Sequence, residues 1–316
     1  MLAKALALLC LAALTRQNGA VVLPFAALAV GWIAARSGES RRRAFGYGLG
    51  FAVAAAVVCL AASAALATRL DGTPAIAEAW ANLESYDIVA AAARDPPVQL
   101  HVFDVVRPAA ARLVDGPGVA TYSPERIDAL EPVFDQLQAA GASRRLIALQ
   151  WRDLILRDPL AYLGLRARAF YWVFATPQPD RCVVIDTGVD GAPADMAAAG
   201  LAPRKDARDL ALAHYALGFK QTPVYRHWAY AAVAVALLVL LLRRRTAPDI
   251  AVAAMLASAL AFAASFFIIS IACDYRYLYA LDLATIAAAL YAAAASAFCS
   301  QVIDSRQVPR PRGERL

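Results

Sequence analysis

Two short polar turns set between apolar runs carry the side chains best suited to chemistry in this sequence. The first is Arg16-Gln17-Asn18, and the second is Cys273-Asp274-Tyr275-Arg276-Tyr277. An arginine guanidinium presents a planar fork of donors that matches a phosphate group bidentately. Arg16 and Arg276 at one level, with Asn18 beside the first, suit the phosphate of a lipid whose tail lies among apolar helices. The competing assignment is structural: Arg276 pairs with Asp274 or Asp282, and its long stem snorkels to headgroups. Asp282 falls about 9 Å along a helix from Arg276 at the usual rise per residue. It shares a helical face with Tyr275, Leu278 and Tyr279. A carboxylate at that depth is costly, so it marks a substrate site or a buried pair.

Further candidates lie in the polar middle of the chain. Asp87, Asp104, Trp151, Arg152, Arg166 and Arg168 have the chemistry for contacts to an acceptor or a headgroup, although each taken singly is more often a solvated or ion-paired residue. Asp87 and Asp274 are the two carboxylates read as candidate catalytic bases, with Arg16, Asn18, Arg276, Asp282, Trp151 and Arg166 as candidate substrate-binding residues. Motifs of soluble enzymes are missing: no Gly-x-Ser-x-Gly, no His-Glu-x-x-His, no phosphate-binding Gly-rich loop and no Cys-x-x-Cys pair. His101, His214 and His227 are too widely separated for a zinc site read from spacing. A divalent cation would be compatible with a phosphate substrate, but no ligand cluster stands out, so no cofactor is assigned.

The elements that must position these residues are apolar helices. Stretches near 20–36, 46–67, 225–242, 249–272 and 277–299 are rich in Ala, Val, Leu, Ile and Phe and almost free of charge. Each is close to the roughly 20 residues a helix needs to cross about 30 Å of hydrocarbon. The stretch from Met1 to Thr15 is shorter and carries Lys4; at about 22 Å as a helix it reads as the remnant of a spanning helix, with polypeptide expected upstream. It shows no small-residue cleavage site leading to a polar start, so it is not read as a signal peptide. With 61% hydrophobic residues and a mean hydropathy of +0.52, a soluble globular enzyme is excluded.

Arginines orient the spans. Arg36 and Arg41–Arg43 lie between the second and third stretches, Arg243–Arg245 between the fourth and fifth, and Arg306, Arg310, Arg312 and Arg315 follow the last. By alternation these segments share one side, and short Lys/Arg-rich loops stay cytoplasmic. The expectation is therefore an all-α protein of the bacterial inner membrane with about six transmembrane helices and both termini cytoplasmic. It divides into residues 1–68 (three helices), 69–223 (a mostly helical periplasmic domain), 224–300 (three helices) and 301–316 (a basic tail). The net charge of +6 sits mostly in the cytoplasmic loops and tail, where it serves topology and attraction to anionic lipids. No basic and aromatic strip remains for nucleic acid.

Within the domain, Thr73 caps a helix reaching Arg94, ended by Asp95-Pro96-Pro97. Val98–Val106 reads as strand or helix, Asp115–Gly118 as a turn, and Ser123-Pro124-Glu125 as the opening of a further helix. The run from Arg144 to Ala175 is a broad helical stripe interrupted at Asp158-Pro159. It closes with Tyr171, Trp172 and Phe174, rings suited to the membrane–water interface. Cys182–Asp186 reads as a short strand, and Asp206–Phe219 as an amphipathic helix. Cys182 and Cys273 both face the oxidising side, where they are either a bridge from domain to helices or two free thiols.

Several segments, among them Thr15–Gly19, the run from Trp151 to Trp172, Cys182–Gly191 and Ala272–Leu283, resemble bacterial multipass proteins that look like GT-C type glycosyltransferases. The resemblance implies transfer of a sugar from a polyprenyl-phosphate donor to a cell-envelope glycan or lipid acceptor on the periplasmic side. It also implies an acidic residue in the first outward loop, acting as base or metal ligand. Here that loop is Thr15–Gly19 and holds no carboxylate, which leaves Asp87 and Asp274 as substitutes. Inverting transfer needs a carboxylate to take the acceptor's proton and cations to stabilise the departing phosphate. The other reading is a non-catalytic membrane protein that binds, or helps export, a lipid-linked glycan.

Overall fold

The computed structural model describes residues 2–14, 19–67, 75–182, 184–191 and 193–306. Arg16, Asn18 and the expected cap Thr73 lie outside them. The first helices are α1 (Leu2–Leu14), α2 (Val22–Arg36) and α3 (Arg41–Ala67). The central region holds α4 (Ala75–Ala92), α5 (His101–Val106), α6 (Pro108–Leu113), α7 (Val119–Thr121), α8 (Glu131–Ala139), α9 (Arg144–Arg157), α10 (Pro159–Ala175), α11 (Pro193–Ala198) and α12 (Ala207–Leu217). The chain closes with α13 (His227–Arg244), α14 (Ala247–Ile269) and α15 (Tyr279–Arg306). Among the described residues there is no strand, and an isolated bridge pairs Val189 with Arg204.

Among the described residues five segments are long and apolar enough to cross a membrane: Gly19–Arg36, Arg41–Leu66, His227–Arg244, Ala247–Ile269 and Tyr275–Ala295. The protein is a multi-pass helical membrane protein on that ground. The first apolar stretch forms only the shorter helix α1. Helix α3 begins at Arg41, so its arginine triplet forms its first turn instead of a loop, and α15 runs past the expected boundary at residue 300 to Arg306.

Local signals explain several helix ends. Ser143 caps α9 by accepting from Leu146 N at 3.3 Å, after Gly141 takes a φ of +81° to turn the chain out of α8. Pro159 cannot continue α9. Asp158 stops that helix and caps α10, its carboxylate accepting from Ala161 N at 2.9 Å. Two other expectations differ. Helix follows Ser123-Pro124-Glu125 only after a 3-10 turn at Asp128–Leu130, and Val98–Val106 is helical only from His101. That short helix is held by buried Gln150, whose Oε1 accepts from both Val102 N and Phe103 N at 3.0 Å. The expected strand at Cys182–Asp186 is irregular in its described residues.

The central region has its own core, in which Val89, Phe103, Val114 and Leu130 are fully buried among α4, α5, α6 and the 3-10 turn before α8. Each such side chain contributes on the order of 1.5–3 kcal/mol. A second cluster joins α13, α14 and α15 through Ala234, Leu256, Phe266, Leu281 and Ala288, and Val173 of α10 packs into it. Helices α2 and α3 cross closely at Gly31 and Gly48; a Cβ on Gly48 would stand 2.9 Å from the Ala27 carbonyl oxygen. Small residues at such crossings let backbones approach in the membrane.

Candidate functional site

The turn between α14 and α15 is built around one carboxylate. Asp274 opens the 3-10 turn Tyr275–Leu278, accepting from Arg276 N at 2.9 Å. Its two oxygens also accept from Arg276 Nε at 3.0 and 2.9 Å, and Arg276 Nη2 completes a fork-on-fork pair. Asp274 is buried, whereas the Arg276 side chain is 61% exposed. Beside this pair runs an apolar groove of ≈ 740 Å³ between α1, α2, α14 and α15. Arg276, Tyr277 and Tyr279 line it together with Leu9, Val30 and Phe262.

Directly before Asp274, Cys273 is joined to Cys182 by a disulfide with a Cα separation of 4.9 Å. The Cys273 amide also donates to the Glu125 carbonyl at 2.8 Å. The Glu125 carboxylate is buried, with Oε1 2.7 Å from Arg181 Nη2, and Oε2 has no hydrogen-bond partner among the described residues. Arg181 in turn lies over the Trp172 ring at 5.8 Å. The turn is therefore tied to the central region by the disulfide and by the Glu125 carbonyl.

Asp282 belongs to a different cluster. Its Oδ1 is 2.9 Å from His227 Nδ1, and its Oδ2 accepts from the Tyr275 hydroxyl at 2.7 Å. The His227 and Tyr275 rings stack at 4.2 Å. His227 is fully buried, and its Nε2 has no partner among the described residues. Of the two structural partners weighed for Arg276, Asp274 is the one taken, and Asp282 binds the start of α13 to the start of α15.

Asp87, Trp151 and Arg166 meet in a third cluster. Asp87 Oδ1 accepts from Arg166 Nη1 at 2.7 Å and Oδ2 from Trp151 Nε1 at 3.0 Å, with both charged side chains 1% exposed. Arg166 also donates through Nε to the Phe267 carbonyl at 3.1 Å and through Nη2 to the Ser270 carbonyl at 2.8 Å. Burial pushes the Asp87 carboxyl up, with Arg166, Trp151 and Tyr162 pulling against it. Three residues earlier on α4, the buried Glu84 carboxyl is pushed up by burial and by the charge of Asp87, with only Trp80 opposing. Each oxygen of Asp87 holds a buried partner and the side chain is 1% exposed, so no route for an incoming hydroxyl leads to it in this arrangement.

Sequence reasoning passed over Glu84, Glu125 and His227. Glu84 stands one helical turn from Asp87, a spacing readable in the sequence. His227 opens an apolar run at its first residue, where a polar side chain is unremarkable. Glu125 carried no signal, because its burial depends on the remote Cys273 segment. Among the described residues no group of three or more His, Cys, Asp and Glu is arranged to hold a metal ion. No protein-family model matches the chain, and neither a curated protein nor a solved structure matches it.

Proposed function

We propose that this chain is a membrane glycosyltransferase that moves a sugar from a polyprenyl-phosphate donor to a cell-envelope glycan or lipid acceptor. The observation that carries this reading is the apolar groove headed by the Arg276–Asp274 pair. An isoprenoid tail fits the groove by its apolar lining, and the phosphate fits the guanidinium fork at its mouth. When the phosphate takes that fork, Asp274 is released from Arg276 and its carboxylate accepts the proton of the acceptor hydroxyl. The new bond forms between that oxygen and the sugar's anomeric carbon, the bond from that carbon to the phosphate oxygen breaks, and Arg276 stabilises the charge left on the phosphate. Asp87 serves as the anchor of Arg166 in this scheme and not as the base. The arginines of the α2–α3 and α13–α14 connections support a cytoplasmic face there, with the central region and the outer turn periplasmic.

A second reading has its own support. Asp274 is bound to Arg276 and Asp87 to Arg166, so the same groove would serve a protein that holds a lipid-linked glycan without turnover. Purified protein in liposomes, given a radiolabelled polyprenyl-phosphate sugar and a cell-envelope acceptor extract, separates the two. Transfer by the parent chain, lost in Asp274→Asn with donor binding retained and lost in Arg276→Gln with binding weakened, is the transferase result. Donor binding without transfer gives the second reading, and absence of both refutes each.

A further inference from the structure

A second apolar groove, of ≈ 770 Å³, lies between the hairpins α2–α3 and α13–α14 and shares Ala29 and Ala254 with the first. Trp32 and Phe45 line it on either side of the α2–α3 connection, and Leu242 and Ile250 on either side of the α13–α14 connection. Both connections therefore meet the same end of the groove. From Trp32 to Pro24, which lines the far end, α2 rises about 12 Å, close to the half-thickness of a roughly 30 Å hydrocarbon core. Its floor is buried at Ala44, Ile250 and Ala253, and its apolar rim is open, with Phe45 71% exposed and Leu28 67%.

Charge decides what belongs there. Arg36, Arg41, Arg42, Arg43, Arg243, Arg244 and Arg245 are all exposed around the mouth. Two acids lie near them, fewer than the seven arginines, and Asp249 attracts Arg244. Glu39 is 3.5 Å from Arg43 across an exposed pair, which is worth little in water. Asp249 is turned inward, accepting from Thr246 Oγ1 at 2.6 Å and from the Tyr291 hydroxyl at 2.8 Å. We infer that this groove is a binding site for one anionic phospholipid, its acyl chain lying between the hairpins and its phosphate held by arginines from both connections. Zwitterionic lipids bring the same phosphate but add an ammonium that the arginines repel. The site stands without the donor reading of the groove at Arg276, although the two grooves share Ala29 and Ala254.

Native mass spectrometry of the full chain in detergent, titrated with phosphatidylglycerol or phosphatidylcholine of matched acyl chains, tests the inference. One tightly retained phosphatidylglycerol is expected, bound at least tenfold more tightly than phosphatidylcholine. Each juxtamembrane arginine lost should weaken it about fivefold, so Arg243→Gln/Arg244→Gln should weaken it about 25-fold with little change for phosphatidylcholine. Ala52→Phe, which fills the groove and leaves every charge in place, should abolish the tightly held lipid of either class. Equal retention of the two lipids overturns the inference. So does retention of phosphatidylglycerol unchanged by Ala52→Phe, which would mean that arginines attract lipid without a groove; this variant decides the matter if the arginine variant fails to insert.

Discussion

At the residue scale, the buried charges are fastenings, and their behaviour is predictable. Asp87 and Arg166 are out of water with their hydrogen-bonding capacity met by Trp151, Phe267 and Ser270, so each depends on the other. Removing one partner strands a buried charge, which typically costs about 3–5 kcal/mol. Arg166→Met should lower the melting temperature in detergent sharply, and Asp87→Leu/Arg166→Met should recover much of the loss; a double variant no better than the single would contradict this account. Glu84 gives a pH dependence with a definite sign. Its folded carboxyl is held above the ordinary glutamate range, so the native state keeps a proton that the unfolded state releases. Stability is then full below the ordinary value and falls as pH rises through the raised one, over a window beginning near about pH 4. Melting curves across that window should show the decline, and Glu84→Gln should flatten it; an unchanged slope would rule Glu84 out as its source. These pairings were only half legible beforehand. Types and spacing singled out Asp87, Trp151 and Arg166, yet nothing local told that three positions on three helices would meet.

At the element scale, legibility followed how local the cause was. The break at Asp158-Pro159 and the turn at Gly141 come from the backbone chemistry of one or two residues, and both could be read directly. The segment Cys182–Asp186 has the composition of a strand, but a strand needs a partner, and composition cannot supply one. Helix α3 shows the same division. Gly46, Gly48 and Gly50 alternate along it and look equivalent in sequence, but only Gly48 meets another backbone. A methyl at Gly46 or Gly50 meets nothing within 4 Å. Gly50→Ala should therefore leave stability unchanged or raise it by about 0.5–1 kcal/mol through helix propensity. Gly48→Ala should lower it by forcing α2 and α3 apart. Thermal melts of the two variants should move in opposite directions, and a loss in both would mean that the crossing is not what sets the glycine requirement.

At the scale of the whole molecule, the central region and the apolar helices are joined at the turn between α14 and α15. Arg166 reaches the Phe267 and Ser270 carbonyls, and the disulfide holds Cys273 three residues later. Both act on the same short segment, and that segment leads into Asp274 and Arg276. The bridge closes a separation of 91 residues, for which chain entropy alone predicts stabilisation of about 4.5 kcal/mol. With either tie intact, the segment still has one fixed end, so losing one should be partly absorbed by the other. Losing both should release the turn and cost more than the sum of the separate losses. A cycle of Cys182→Ala/Cys273→Ala, Arg166→Met and the combined variant, followed by melting temperature and by protease cleavage between α14 and α15, measures that coupling. The expected result is slow cleavage in each partial variant and rapid cleavage in the combined one. Strict additivity would show that the two ties hold separate parts of the molecule, and the turn would then owe its geometry to the Asp274 cap, the Arg276 fork and the bond from the Cys273 amide to the Glu125 carbonyl.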